Sequence, residues 1–102
     1  MEQLKRPVLF FEADAERHDG TVVPFSLRIH DPEPGEDLGY FCFIECPFIR
    51  QRPFRIFGED QEQACELSVK FINLMIEDDV VRLLDGRGQE IQIPEISWPS
   101  SD

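Results

Sequence analysis

The segment from Asp60 to Glu77 most narrows what this chain can fold into. Between Gln61 and Glu77 there is neither glycine nor proline. Apolar residues recur there at three- and four-residue spacing, which predicts one long amphipathic helix. Asp60 stands where an N-cap is needed, and Gln63 three residues later completes the capping-box pattern. Projected on a helix, Ala64, Leu67, Ser68, Phe71, Leu74 and Met75 share one side, while Cys65, Val69, Ile72 and Ile76 widen the apolar arc past half the circumference. The polar stripe of Glu62, Glu66, Lys70, Asn73 and Glu77 is narrow, so the helix is expected to be covered on more than one side. Asp78 and Asp79 follow at the end where acids oppose the helix dipole.

A helix with so broad an apolar arc needs a sheet to lie on, and the flanking sequence supplies strand patterns. Val8–Phe11 is an apolar run followed by a polar stretch from Glu12 to Gly20, with a turn signal at His18-Asp19-Gly20. From Thr21 to His30, Val23, Phe25, Leu27 and Ile29 alternate with polar residues, as in a half-buried strand. Asp31 to Asp37, with two prolines and four acids, predicts a loop. Gly39–Cys46 is apolar on both faces, which places it centrally in a sheet or under two coverings. Pro47 and Pro53 bracket a turn or edge segment, and Arg55-Ile56-Phe57 ends this group at Gly58. After the helix, Val80–Leu84 and Glu90–Ile93 flank Asp85-Gly86, the strongest short-range hairpin signal.

The expected fold is therefore α+β: an antiparallel β-meander of three or four strands, one long helix packed on the sheet, and a C-terminal β-hairpin. At 102 residues, 41% of them hydrophobic and nine of them Phe, the chain suits a single domain. It is expected to be ordered over about residues 5–94, with 95–102 a mobile tail. The odd count of three cysteines, Cys42, Cys46 and Cys65, all inside apolar runs, fits buried free thiols in a reducing compartment. No signal-peptide pattern follows Met1, and no apolar run reaches membrane-spanning length. A cytoplasmic location with no membrane partner is the expectation.

The stretch Phe57-Gly58-Glu59-Asp60-Gln61-Glu62-Gln63-Ala64 forms an aromatic-Gly-x-Asp-x-x-Gln-Ala motif that opens the helix. It resembles the helix-opening signature of a bacterial family of small uncharacterised proteins, a domain of unknown function. The matching positions are Phe57, Gly58, Asp60, Gln63, Ala64, Leu67, Lys70 and Ile72, with Val81–Leu84 similar in placement. The resemblance implies an antiparallel sheet with one long helix, and no activity. A second likeness, in order of elements only, is to small antitoxin domains built on a partial ribonuclease H fold. This chain lacks the Pro-Gly-Cys turn of that group.

Catalytic chemistry finds little support. Cys42 and Cys46 on one strand stand roughly 13 Å apart, too far to share a zinc ion. His18 and His30 have no nucleophile beside them. His30, Asp31 and Glu33 read as a solvated loop rather than a metal site. Glu45 lies within an apolar strand and is expected to reach solvent or an arginine. No catalytic residue, metal or cofactor is assigned, and the chain is not expected to be an enzyme.

The binding candidates are Arg50, Arg52 and Arg55, in a segment without any acid, together with Phe48, Phe54 and Trp98 beside prolines. The net charge of -11 disfavours nucleic acid and favours a basic protein partner. The leading expectation is a non-enzymatic interaction module, immunity- or antitoxin-like, binding a protein partner or forming a homodimer. The competing expectation is a small anion or nucleotide binder using Arg50, Arg52 and Arg55 as guanidinium clamps.

Overall fold

The computed structural model describes residues 7–37 and 39–96. Residues 5 and 6 and the tail from 97 onward, including Trp98, lie outside the described residues. The chain is α+β, with one helix packed on an antiparallel sheet of several strands. Its elements are β1 (Pro7–Arg17), β2 (Val22–His30), β3 (Glu33–Pro34), β4 (Tyr40–Glu45), β5 (Phe54–Gly58), α1 (Gln61–Ile76), β6 (Val80–Leu84) and β7 (Glu90–Ile91).

β1 and β2 pair from Leu9↔Ile29 to Glu16↔Val22. The polar stretch after Phe11 is thus strand as far as Arg17, not connector. Ala13 and Ala15 continue the inward alternation opposite Phe25 and Val23, while Glu12 and Asp14 turn outward to solvent. Small inward residues hide the period from a reading that looks for large apolar ones. The turn that joins the two strands is closed by Asp19, whose Oδ1 accepts from the Thr21 amide (3.0 Å) and hydroxyl (2.7 Å). Those bonds, the hydroxyl's first, hold the Asp19 carboxyl below the usual carboxylate range. Gly20 takes the positive φ of 88° that the turn needs.

β4 is the hub. One edge pairs with β5 from Tyr40↔Gly58 to Ile44↔Phe54. The other pairs first with β2, at Arg28↔Glu45 and Ile29↔Ile44, and then with β3, at Glu33↔Phe41 and Pro34↔Tyr40. The register slips by one residue between the two sets, so β2 and β3 are two stretches of one interrupted strand. The acidic Asp31–Asp37 stretch is accordingly not all loop. Across the sheet the order is β7, β6, β1, β2 with β3, β4, β5.

The inward face carries Phe25, Leu27, Ile29, Cys42, Ile44 and Cys46, each no more than 1% exposed, against Ala64, Cys65, Val69 and Ile72 of the helix. Asp60 caps α1: its Oδ1 accepts from the Gln63 amide at 2.8 Å, and Gln63 Oε1 accepts from the Glu59 amide at 2.6 Å. The helix lies over β4 and β5. Its buried stripe is narrower than its apolar arc. Leu74 and Met75 are 56% and 47% exposed, which corrects the expectation of covering on more than one side. One sheet face reaches only the side centred on Cys65, Val69, Ile72 and Ile76. Past the helix end, Asp79 stands 3.3 Å from Arg17 Nε of β1, so a cation offsets an acid placed against the dipole.

Candidate interaction face

The side of the sheet away from the helix has no second layer over it among the described residues. Side chains alternate along each strand, so every inward residue of β1, β2, β4 and β5 leaves an outward neighbour. The pairings align these neighbours into rows. One row runs Phe10, Arg28, Glu45 across β1, β2 and β4. Another runs Glu33, Phe41, Phe57 across β3, β4 and β5, and between them Phe43 stands opposite Arg55.

This face is aromatic where the sheet is widest. Phe10, Phe43 and Phe57 are 51%, 38% and 56% exposed. The Phe41 ring sits 5.7 Å from that of Phe43 and 5.6 Å from that of Phe57. Two guanidinium groups lie over these rings: Arg28 5.0 Å from the Phe10 centroid, and Arg55 5.2 Å and 5.8 Å from those of Phe41 and Phe57. Each such contact holds a cation against an apolar surface without removing it from water. Two shallow depressions open here. One of about 530 Å3 is lined by Arg55, Phe41, Phe57, Glu36 and Asp37. The other, of about 380 Å3, is lined by His30, Glu33, Phe43, Glu45 and Pro53.

Glu45 is solvated and paired. Its Oε2 accepts a hydrogen bond from His30 Nε2 at 3.0 Å, and Arg28 Nη1 lies 3.9 Å from its Oε1. The three thiols Cys42, Cys46 and Cys65 are free and buried in the core. Burial pushes the Cys46 thiol up from its ordinary value, and a hydrogen bond with Cys42, then burial, does the same for Cys65. A thiol held neutral out of reach of solvent is a poor nucleophile. Among the described residues, His, Cys, Asp and Glu do not gather in a set able to hold a metal ion. No helix among them is long and apolar enough to cross a membrane.

The residues singled out from sequence are distributed over different places. Phe48 turns into the core, with its ring 5.4 Å edge-on from Phe25, under the Arg17 guanidinium. Phe54 also turns to the helix side, 5.7 Å from Phe71. Residues 47–49 form a turn, held by the Ile49 and Arg50 amides donating to the Cys46 carbonyl, and a bend follows at 51–52, so Arg50 and Arg52 are not aligned by an extended backbone. Arg50 lies over the Phe54 ring at 5.1 Å, on the helix side, whereas Arg55 lies on the opposite face. The three arginines therefore do not form one clamp. Trp98 lies outside the described residues. The outward partners Phe10, Arg28 and Phe57 were missed, although the alternation that exposed the inward set in β2 and β4 implies them.

Comparison with protein-family models, with curated proteins and with solved structures finds no match to this chain.

Proposed function

We propose that this chain is a non-enzymatic protein-interaction module that docks a partner on the helix-free face of its sheet. The observation that carries the reading is the set of exposed aromatic residues Phe10, Phe43 and Phe57 on one face, in neighbouring rows, with Arg28 over Phe10 and Arg55 over Phe57. Aromatic residues and arginine are the types most enriched at the centres of protein interfaces. Around them, Glu12 and Asp14 of β1 form an acidic border, and the whole chain carries -11. A partner with an apolar centre and basic rim fits that arrangement, as in immunity- or antitoxin-like masking of a basic protein. The fold serves this as a meander that presents its outward face, with the helix closing the inward one and the final hairpin extending the sheet beside β1. Three free buried thiols suit a reducing, cytoplasmic setting.

The second reading, an anion or nucleotide site, is confined to Arg50 and Arg52, because Arg55 lies on the opposite face of the sheet, and it is supported by one fact. The ion pairs among the described residues join Arg17–Asp79, Arg28–Glu45, His30–Glu45 and Arg82–Glu16, and none includes these two arginines.

The test is affinity purification of a partner from the native host with the unaltered chain and with Phe10→Glu/Phe43→Glu. A stoichiometric partner retained by the first and lost by the second supports the reading. A partner held equally by both removes the sheet face from consideration. Stabilisation by phosphate or nucleotide that disappears in Arg50→Ala/Arg52→Ala would support the anion site instead.

A further inference from the structure

We infer that a second copy of this chain pairs edge to edge with β5, joining two sheets into one and setting the two helices side by side. This goes beyond the face-docking reading, because it uses the edge of the sheet and leaves the outward face available.

β5 is an open edge. Among the described residues it pairs with β4 alone, and all five of its residues are in register with that neighbour. Natural proteins blunt such edges with prolines, bulges, inward charges or very short strands, because unpaired amides and carbonyls invite another strand. The opposite edge, β7, is two residues long and is followed by Pro94 three residues on. Within β5, Phe54–Gly58, there is no proline, no bulge and no inward charge.

Charge along this edge is arranged in two opposed ends. No acid occurs between Cys46 and Gly58, and Arg50 and Arg52 stand just before the strand. Immediately after it come Glu59, Asp60 and Glu62. Within one chain these ends do not meet, since none of the arginines has a carboxylate partner among the described residues. An antiparallel pairing of β5 with its own copy brings the arginine end of each edge to the acidic end of the other. Such an isologous contact satisfies both ends twice over. Centred on Ile56, the same pairing sets Arg55 opposite Phe57 of the second copy on the outward face, so a contact already made within the chain at 5.8 Å is repeated across the junction.

The helix layer agrees. Ala64 abuts Gly58 and Phe71 abuts Phe54, so α1 runs along β5. Val69 and Asn73 on its other flank face Ile93 and Ile96. The stripe left over, Leu67, Phe71, Leu74 and Met75, lies on the β5 side and away from the sheet, and is half-buried to exposed. Strands pair at about 4.8 Å, and each helix spans β4 and β5. Two such helices then lie about two strand spacings apart, near the ~8–10 Å of packed helices. The apolar arc that the sheet leaves uncovered finds its cover in the matching arc of the second copy.

The test is sedimentation equilibrium of the full chain up to about 0.5 mM, where an interface of even modest micromolar affinity is saturated. The expected mass is twice the 11.9 kDa of one chain. Arg50→Glu/Arg52→Glu and Glu59→Arg/Glu62→Arg are each expected to raise the dimer dissociation constant at least about tenfold, because like charges then meet at both ends. Mixed one to one, these two variants are expected to form a heterodimer, with circular dichroism showing both folded. A monomeric chain at the highest concentration, double variants that dimerise as the unaltered chain does, or a mixture that stays monomeric would each overturn the inference. Phe10 and Phe43 are untouched in these variants, so partner capture on the sheet face is read independently of the dimer.

Discussion

Gly58 lies so close to Ala64 that a Cβ on the glycine would stand 2.5 Å from the Ala64 backbone nitrogen and 2.8 Å from its Cα. These are the Gly and the Ala of the helix-opening motif, six residues apart in sequence and in contact where strand β5 hands the chain to α1. The glycine is needed here for close approach rather than for a positive φ, which it does not have. Gly58→Ala is expected to cost about 1–3 kcal/mol, the range of overpacked cores. Because the clash is with backbone, Ala64→Gly should not restore the loss. Urea denaturation of the single and double variants checks both statements, and a single variant as stable as the parent would contradict them.

Phe48 and Phe43 are five residues apart and serve opposite purposes. Phe48 packs edge-on against Phe25, whereas Phe43 stands on the outward face. Phe48→Ala is expected to lower stability by about 2–4 kcal/mol, somewhat below the loss at a fully buried Phe. Phe43→Ser should change stability by less than ~1 kcal/mol, as exposed positions do. Denaturation midpoints of the two variants decide this, and an equal loss in both would mean the outward face is covered within the single chain.

The thiols carry a dependence on alkaline pH. Cys46 and Cys65 have pKa values raised in the folded chain above the ordinary 9.0, an effect offset in part by Cys42, whose pKa is lowered by its hydrogen bond with Cys65. Unfolding therefore favours release of their protons, so their contribution to stability is complete below pH ~8.5 and declines as the pH rises beyond it. Urea midpoints at pH 7 and pH 10 are expected to differ in that direction, with a smaller difference in Cys46→Ala. A thiol reagent should label the native chain at least about a hundredfold more slowly than the urea-unfolded chain, since reaction requires opening of the core. Rapid native labelling of Cys65 would show that the helix does not cover β4.

Much of the fold was written locally. The helix from Gln61 to Ile76, its Asp60 cap and the inward sets of β2 and β4 depend on spacing along a few turns or one strand, and such periods are visible in the chain itself. Less was legible where small or polar residues carry the pattern. Ala13 and Ala15 extend β1 to Arg17, and Glu33-Pro34 pairs with β4, because a neighbouring strand supplies partners that no local preference announces.

The sequence by itself determined that a capped amphipathic helix needs a sheet, that Phe25, Leu27 and Ile29 would line one side of it, and that the three thiols would be buried. Only the tertiary structure decided which strands became edges, that β6 returns beside β1, and that the outward face of β4 and β5 stays open with Phe43 and Phe57 at its surface. It also divided the aromatic and arginine segment, sending Phe48 and Phe54 inward and Arg55 outward. The reason is physical: periodicity tells which residues share a face, whereas what covers that face depends on contacts between segments far apart in the chain.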